Sequence, residues 1–387
     1  MSPLFSALVC LSAVAQAVQV AAPSGEYGIG TRQYTIPKVT LNEPTAAPNG
    51  TGTFVLVTVY YPTASKATTL QPYFDPTSSK IWESPFTYPN GSLNQLTTAL
   101  QPDAPFLQHS PDLPTILFSP GGGVNAFMYY GLLGDLASKG YTILAVDHPY
   151  EPPALLLPNG TELIGLSIYT SYNSSTSSEV EKYRISDMEA VVSTFPEYIK
   201  NVSAPWNATS YISIGHSVAL VAASVDGFLG GINLDGAFWE PFFKDLAKPL
   251  LVLTSQNHTS GFDPSLTKFS GLQSSWWELL SVYSAAHLDY SDINQYWSVL
   301  GLGPSGQLST PEIGSIGKAL ALPYWIRHSL TFYPTSAGGQ RMLEIVRKYV
   351  ENFLEFAIHG SSDRHVLQRP SLKWWEVIYV NGSDFLH

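Results

Sequence analysis

The sequence predicts an α/β fold, a mostly parallel central sheet with helices on both faces. Three observations carry that expectation: short apolar runs rich in β-branched residues, stretches of helical spacing between them, and Gly-bearing turns that join one to the next. The runs are 53–61 (TFVLVTVYY, ended by Pro62), 115–119 (TILFS), 142–146 (TILAV), 211–214, 231–234, 249–254 and 279–283. Such continuous apolar strands suit a sheet covered on both faces. Helical spacing appears at 127–139, which stops at Gly140, and at 179–200, with Ser177 or Ser178 as N-cap. It returns at 218–225 and at 340–358, where Met342, Val346, Tyr349, Val350, Phe353 and Phe356 form a core-facing stripe. Residues 23–50 read as an extended lead-in, and 66–112 as an irregular cover rich in Pro and aromatics. No repeat appears at periods of 20 to 50 residues, so 18–387 reads as one domain.

Composition narrows the function. Only 13% of the 387 residues are charged, against about 25% in an average soluble domain. Disordered, coiled-coil and charge-laced solenoid chains are thereby excluded. With 19 basic and 30 acidic residues there is no surplus of positive charge to follow a phosphate backbone, so nucleic acid is not an expected partner. The first 22 residues carry no charge, and residues 3–20 are apolar with an Ala15-Gln16-Ala17 cleavage pattern. Residues 1–17 therefore read as a secretory signal peptide, although no Lys or Arg precedes the apolar run. Of 14 asparagines, eight stand in Asn-x-Ser/Thr: Asn49, Asn90, Asn159, Asn173, Asn201, Asn207, Asn257 and Asn381. That excess predicts a secreted, N-glycosylated protein with those residues on its surface. The single cysteine, Cys10, falls inside the signal, which leaves the mature chain without disulfides, thiol nucleophiles or thiolate metal sites.

The sharpest chemical signal is strand, then Gly215-His216-Ser217-Val218-Ala219, then helix. A serine on a tight strand-to-helix turn exposes its Oγ, and the amide after it is free to bind an oxyanion. Ala219 stands where the G-x-S-x-G pattern has its second Gly. Pro120-Gly121-Gly122-Gly123, directly after a buried strand, is placed to offer further backbone N–H groups, and its alternative reading is a plain tight turn. Asp235, at the end of the next strand in GINLDGAFW, is the expected acid; Asp226 and Glu240 are weaker choices. His287 follows the strand at 279–283 and is the expected base. His258 also follows a strand, but it lies within the Asn257 sequon, where a glycan would crowd it. His216 should turn away from its neighbour Ser217 and pack. The other histidines show no metal-ligand spacing, so neither a metal nor another cofactor is expected.

The stretches VTVYYP, ILFSPGGG, LASKGYTILAVDHP, ISIGHSVA, INLDGAFWEP and AAHLDYSDI occur in that order over about 53–295. Together they resemble the plasma-type platelet-activating-factor acetylhydrolase branch of the α/β-hydrolases, and in particular its secreted fungal relatives. The resemblance implies Ser217 as nucleophile, Asp235 as acid and His287 as base, with the amides of Gly122 and Val218 forming the oxyanion hole. It also implies a serine esterase acting through an acyl-enzyme on a small-molecule or lipid ester, with a transient lipid interface. Two positions depart from the family: Pro120 stands where His is usual, and Ala219 where Gly is usual. They keep open a non-hydrolytic role on the same fold (lyase, cyclase or acyl transfer) or a binding role. The aromatic cover at 66–112 is expected to supply a hydrophobic pocket.

Overall fold

The computed structural model describes residues 17–43, 45, 51–107, 112–165, 174–218, 226–239, 243–302, 338–360 and 365–383. The expected helix at 218–225 (from residue 219), most of the signal segment, Ala219, Asn49 and Asn173 lie outside the described residues.

Ten strands form the main sheet. In chain order they are β1 (Gly28–Leu41), β2 (Thr51–Thr63), β3 (Leu100–Pro102), β4 (Thr115–Ser119) and β5 (Ile143–Asp147). They continue with β6 (Tyr211–Val218), β7 (Phe228–Ala237), β8 (Leu250–Ser255), β9 (Trp277–Val282) and β10 (Val377–Gly382). Across the sheet the order is β10-β9-β8-β7-β6-β4-β5-β2-β1-β3. The block from β9 through β5 is parallel throughout. Antiparallel pairs flank it: β10 on β9, β2 on β5 and β1 on β2. The extended lead-in is thus a 14-residue strand, β1, and its alternation of exposed and half-buried residues marks it as lying near a solvated edge.

The parallel strands are largely buried, with every residue of β4, β5 and β8 buried. Their side chains alternate between two cores, as the two-residue period of a strand requires. Ile116, Phe118, Ile143, Ala145, Ile212 and Ile214 share a cluster with Met342, Ile345, Val346, Tyr349, Val350 and Phe353 of helix Gly338–His359. The intervening Leu117, Leu144 and Val146 meet Ile185, Met188, Val191 and Phe195 of helix Ser174–Val202. Helices therefore cover both faces, as the sequence predicts.

The cover at 66–112 is less irregular than its composition suggests. Asp75 accepts from the amides of Thr77 and Ser78 and so caps a helix, α1 (Pro76–Phe86), begun by Pro76. Short strands at Leu96–Thr98, Gln71–Pro72 and Val18–Gln19 pair beside it, so the chain is built into the fold from Val18 onward. Pro, Tyr and Phe obscured a helix that depends on its cap and on the buried faces of Trp82 and Phe86. The helical stretch at 127–139 divides into a 3₁₀ turn, Ala126–Tyr129, and α2 (Tyr130–Ser138). Gly140, at φ 107°, ends it as expected. Among the described residues no helix is long and apolar enough to cross a membrane.

At the end of β5 the carboxyl of Asp147 is buried, and that burial pushes it up to about 7 despite the amide of Ala126, which donates to it at 2.8 Å. The native chain therefore holds a proton here, between pH of about 4 and about 7, that the unfolded chain has released. Stability should fall as pH rises through that window. Asp147→Asn, whose amide oxygen can keep the Ala126 bond, should flatten the fall when denaturant unfolding is followed from pH 4 to pH 8.

Candidate active site

Loops leaving the carboxyl ends of six adjacent parallel strands converge on one cavity of about 620 Å³. Gly122 follows β4, Glu151 follows β5, Ser217 ends β6, and Asp235 and Trp239 come from β7 and its exit. Ser255, His258, Phe262 and Asp263 follow β8, and His287 follows β9. Val180 and Arg184 reach in from the helix Ser174–Val202. Crevices of this kind beyond the strand ends are where open α/β sheets bind ligands.

Ser217 sits at φ 63°, in the left-handed region where a serine is strained. The pairing of β6 with β7 slips here, from His216 opposite Leu234 to Val218 opposite Ala237. The strand thus continues through Ser217 rather than turning at Gly215, and the slip makes the sharp corner. Gly236 is what allows the close approach: a Cβ there would lie 3.0 Å from the Ser217 carbonyl carbon.

Asp235 also has a left-handed φ, 55°. A local clamp holds it there. Asn233 accepts from the amide of Gly236 and donates to its carbonyl, each at 2.7 Å. The buried carboxylate so aimed meets three donors: the amide of Ser255 at 2.6 Å, His258 Nδ1 at 3.0 Å and His287 Nδ1 at 2.8 Å. Burial alone would raise this carboxyl, but the two histidines outweigh it and hold it well below the usual range.

The sequence pairs Asp235 with His287, and the structure brings the two together. It also brings in His258, which sequence reasoning set aside. The histidines differ at their far nitrogens. His258 Nε2 is engaged by Asp263 Oδ2 at 2.8 Å, while His287 has no second side-chain partner among the described residues and its side chain is one-third exposed. Asp263, five residues beyond His258, caps helix α4 (Pro264–Ser270), accepting from Ser265 N. The available signal was topological: the loop after β8 must neighbour the loop after β7.

His216 packs as expected. Its Nε2 donates to the His287 carbonyl at 3.0 Å, and its Nδ1 accepts from the Tyr129 hydroxyl at 2.5 Å. That hydroxyl in turn accepts from the amide of Gly121 at 3.0 Å. Burial, with the neighbouring His287, drives His216 well below the ordinary histidine value, so it stays a neutral tether between the glycine loop and the His287 loop. Gly121 leaves no room for a side chain, because a Cβ would lie 2.7 Å from His216 Nδ1. The loop is held from below as well. Arg184 donates to the Pro120 carbonyl at 2.8 Å and forms a two-pronged ion pair with buried Glu151. Ser119, His148 and Asp187 are linked beneath it at 3.0 and 2.8 Å, fully buried and without access to the cavity.

Among the described residues none of the cover lines the cavity; its apolar wall is Val180, Ala237, Trp239, Phe262, Ala285 and Ala286. The expectation that the cover supplies the pocket is therefore corrected: its aromatics pack into the core against Tyr129, Tyr130 and Tyr296. Among the described residues no group of side chains has the makings of a metal site.

No family model matches the chain. A ferulic acid esterase from Streptomyces cinnamoneus superposes with a TM-score of 0.72 over 94% of this chain and 100% of that one, at 22% identity. The chain has the α/β-hydrolase fold. The chain is also similar in sequence to a probable 1-alkyl-2-acetylglycerophosphocholine esterase of Arthroderma benhamiae, at 25% identity over 281 residues. The matched part is 70% of this chain and 66% of that relative, just under two thirds of its length. That relative is of the acetylhydrolase type that the motifs of this chain resemble.

Proposed function

We propose that the chain is a secreted serine esterase in which Ser217 is the nucleophile, His287 the general base and Asp235 the acid. One observation carries the reading: of the two histidines on Asp235, only His287 keeps its far nitrogen available to the cavity that Ser217 lines. Ser217 Oγ attacks the ester carbonyl carbon as its proton passes to His287 Nε2. Asp235 fixes the tautomer by accepting Nδ1–H and stabilises the imidazolium. The amides of Gly122 and Val218 receive the charge on the carbonyl oxygen, each worth roughly 3–4 kcal/mol in comparable sites. His287 then protonates the departing alcohol, and water, deprotonated by the same imidazole, releases the acid from Ser217.

The substrate class we propose is a short-acyl ester, with acetylated alkyl glycerophosphocholine the first candidate. Its support is the similarity to the Arthroderma benhamiae esterase and an apolar wall of Val180, Ala237, Trp239 and Phe262 around the serine. Secretion and N-glycosylation are supported by the uncharged leader and by Asn90, Asn159, Asn201, Asn257 and Asn381, all exposed; Asn207 is half-buried. Labelling of the deglycosylated protein with a fluorophosphonate, followed by mapping of the adduct, tests the nucleophile. An adduct on Ser217 that disappears in His287→Ala is expected; well-folded protein without one overturns the reading. Acetate release from 1-alkyl-2-acetylglycerophosphocholine, compared with a long-acyl analogue, tests the substrate.

Gly236→Ala should cut turnover by about 10²-fold, because the new methyl lies 2.7 Å from Asn233 Oδ1 and must push either the Asn233 clamp or Ser217 out of line. Unchanged kcat in a folded Gly236→Ala protein would show that the corner does not position the serine.

A further inference from the structure

His258 has a geometry that only one protonation state satisfies. Its Nδ1 lies 3.0 Å from Asp235 Oδ1 and its Nε2 lies 2.8 Å from Asp263 Oδ2. Ionised carboxylates only accept hydrogen bonds, so both ring nitrogens must donate, and a neutral imidazole carries one N–H. The ring is the cationic centre of an Asp235–His258–Asp263 chain, and Asp235 is shared with His287 on its other oxygen. We infer that His258 is a positioning residue, an imidazolium that holds the triad carboxylate in register for His287. This inference rests on the reading of Ser217, Asp235 and His287 as a triad.

The electrostatics agree with the geometry. Burial of His258 would lower its proton affinity, but the hydrogen bonds it donates to Asp235 and Asp263, and then their charges, raise it to about 9. The charged groups that face it are those two carboxylates, one at the end of β7 and one at the start of α4; its remaining close neighbour is the Phe262 ring, edge-on at 6.4 Å. His287 meets it through the shared carboxylate, and beyond His287 lies His216, which is neutral. A triad acid facing only its base gives its whole negative charge to that base. Here the His258 cation holds the second oxygen and takes part of that charge, so the carboxylate is fixed in its orientation toward His287. The Asp263 side chain is what fixes that cation, and its other oxygen is occupied by the helix cap.

Asp263→Asn separates charge from structure. Its oxygen can keep the cap on Ser265, and its NH₂ can donate to His258 Nε2, so the ring stays in place as a neutral imidazole. In protein labelled with ¹³C at histidine Cε1, we expect wild-type His258 to titrate above pH 8 and the variant's His258 to titrate near neutrality. The acid limb of Ser217 labelling by a fluorophosphonate, read as adduct mass against pH, should move up in Asp263→Asn and also in His258→Gln, because the shared carboxylate then keeps its whole charge for its other partner. A purely structural role would lower the rate at every pH and leave the acid limb where it was; that result, or a wild-type His258 that titrates near neutrality, overturns the inference. Wild-type protein that is never labelled on Ser217 would defeat the triad reading, while the His258 midpoint, which needs no turnover, would still decide whether the ring is an imidazolium.

Discussion

Ser217→Ala is expected to lower ester turnover by about 10⁴-fold or more while the protein remains folded. The size follows from the division of labour at the site. Without Oγ no acyl-enzyme forms, and what remains is the contribution of the oxyanion donors and of binding to direct attack by water. The fold should not notice the loss, because Ser217 is half-exposed and lines the cavity. Ser217→Gly gives a sharper version. At φ 63° a serine pays for its Cβ, so glycine should raise unfolding stability by about 1 kcal/mol while abolishing turnover equally. Stability that rises as activity vanishes is the signature of strain kept for function. Measured kcat within tenfold of wild type in either variant would remove Ser217 from the mechanism.

Sequence reasoning reached the sheet because parallel strands buried on both faces are nearly continuous apolar runs, such as TILFS and LLVLTS. It singled out Ser217, Asp235 and His287 because each sits just past such a run, where the chain must turn. What it missed depends on which strands are neighbours. β1 and α1 were hidden because Pro, Gly and aromatic residues weaken any periodic pattern, while register with β2 and the Asp75 cap decide the outcome. His258 was set aside on a local argument about the Asn257 sequon. Asn257 is indeed exposed at the cavity, yet the histidine beside it turns inward to Asp235 and Asp263. Arg184 gave no signal at all, since a charged residue in a helical stretch reads as solvated until the packing is known.

That arginine carries the largest expected effect on stability. Arg184 is 1% exposed and donates to both oxygens of Glu151, itself buried, and to the Pro120 carbonyl. Glu181, one turn earlier on the same helix, is fully buried and neither of its oxygens has a hydrogen-bond partner among the described residues. Burial pushes its carboxyl well above the usual range, and Arg184 is the one nearby charge that pulls it back. Arg184→Met keeps most of the volume and removes the cation, so Glu151 is left as an uncompensated buried charge. The expected cost is about 3–5 kcal/mol of unfolding free energy. A buried pair can also be replaced as a whole, because its desolvation cost cancels much of its attraction. Arg184→Met with Glu151→Leu should therefore recover a large share of the loss, giving a strongly non-additive cycle in denaturant unfolding. Catalysis should not recover with it. The Pro120 carbonyl still lacks its donor, and the glycine loop, held from the other side only through Gly121, Tyr129 and His216, loses one of its two anchors. A double variant as stable as wild type but slow in kcat would locate the purpose of the ion pair in the oxyanion loop. A single variant within 1 kcal/mol of wild type would show that the fold does not depend on the Arg184–Glu151 pair.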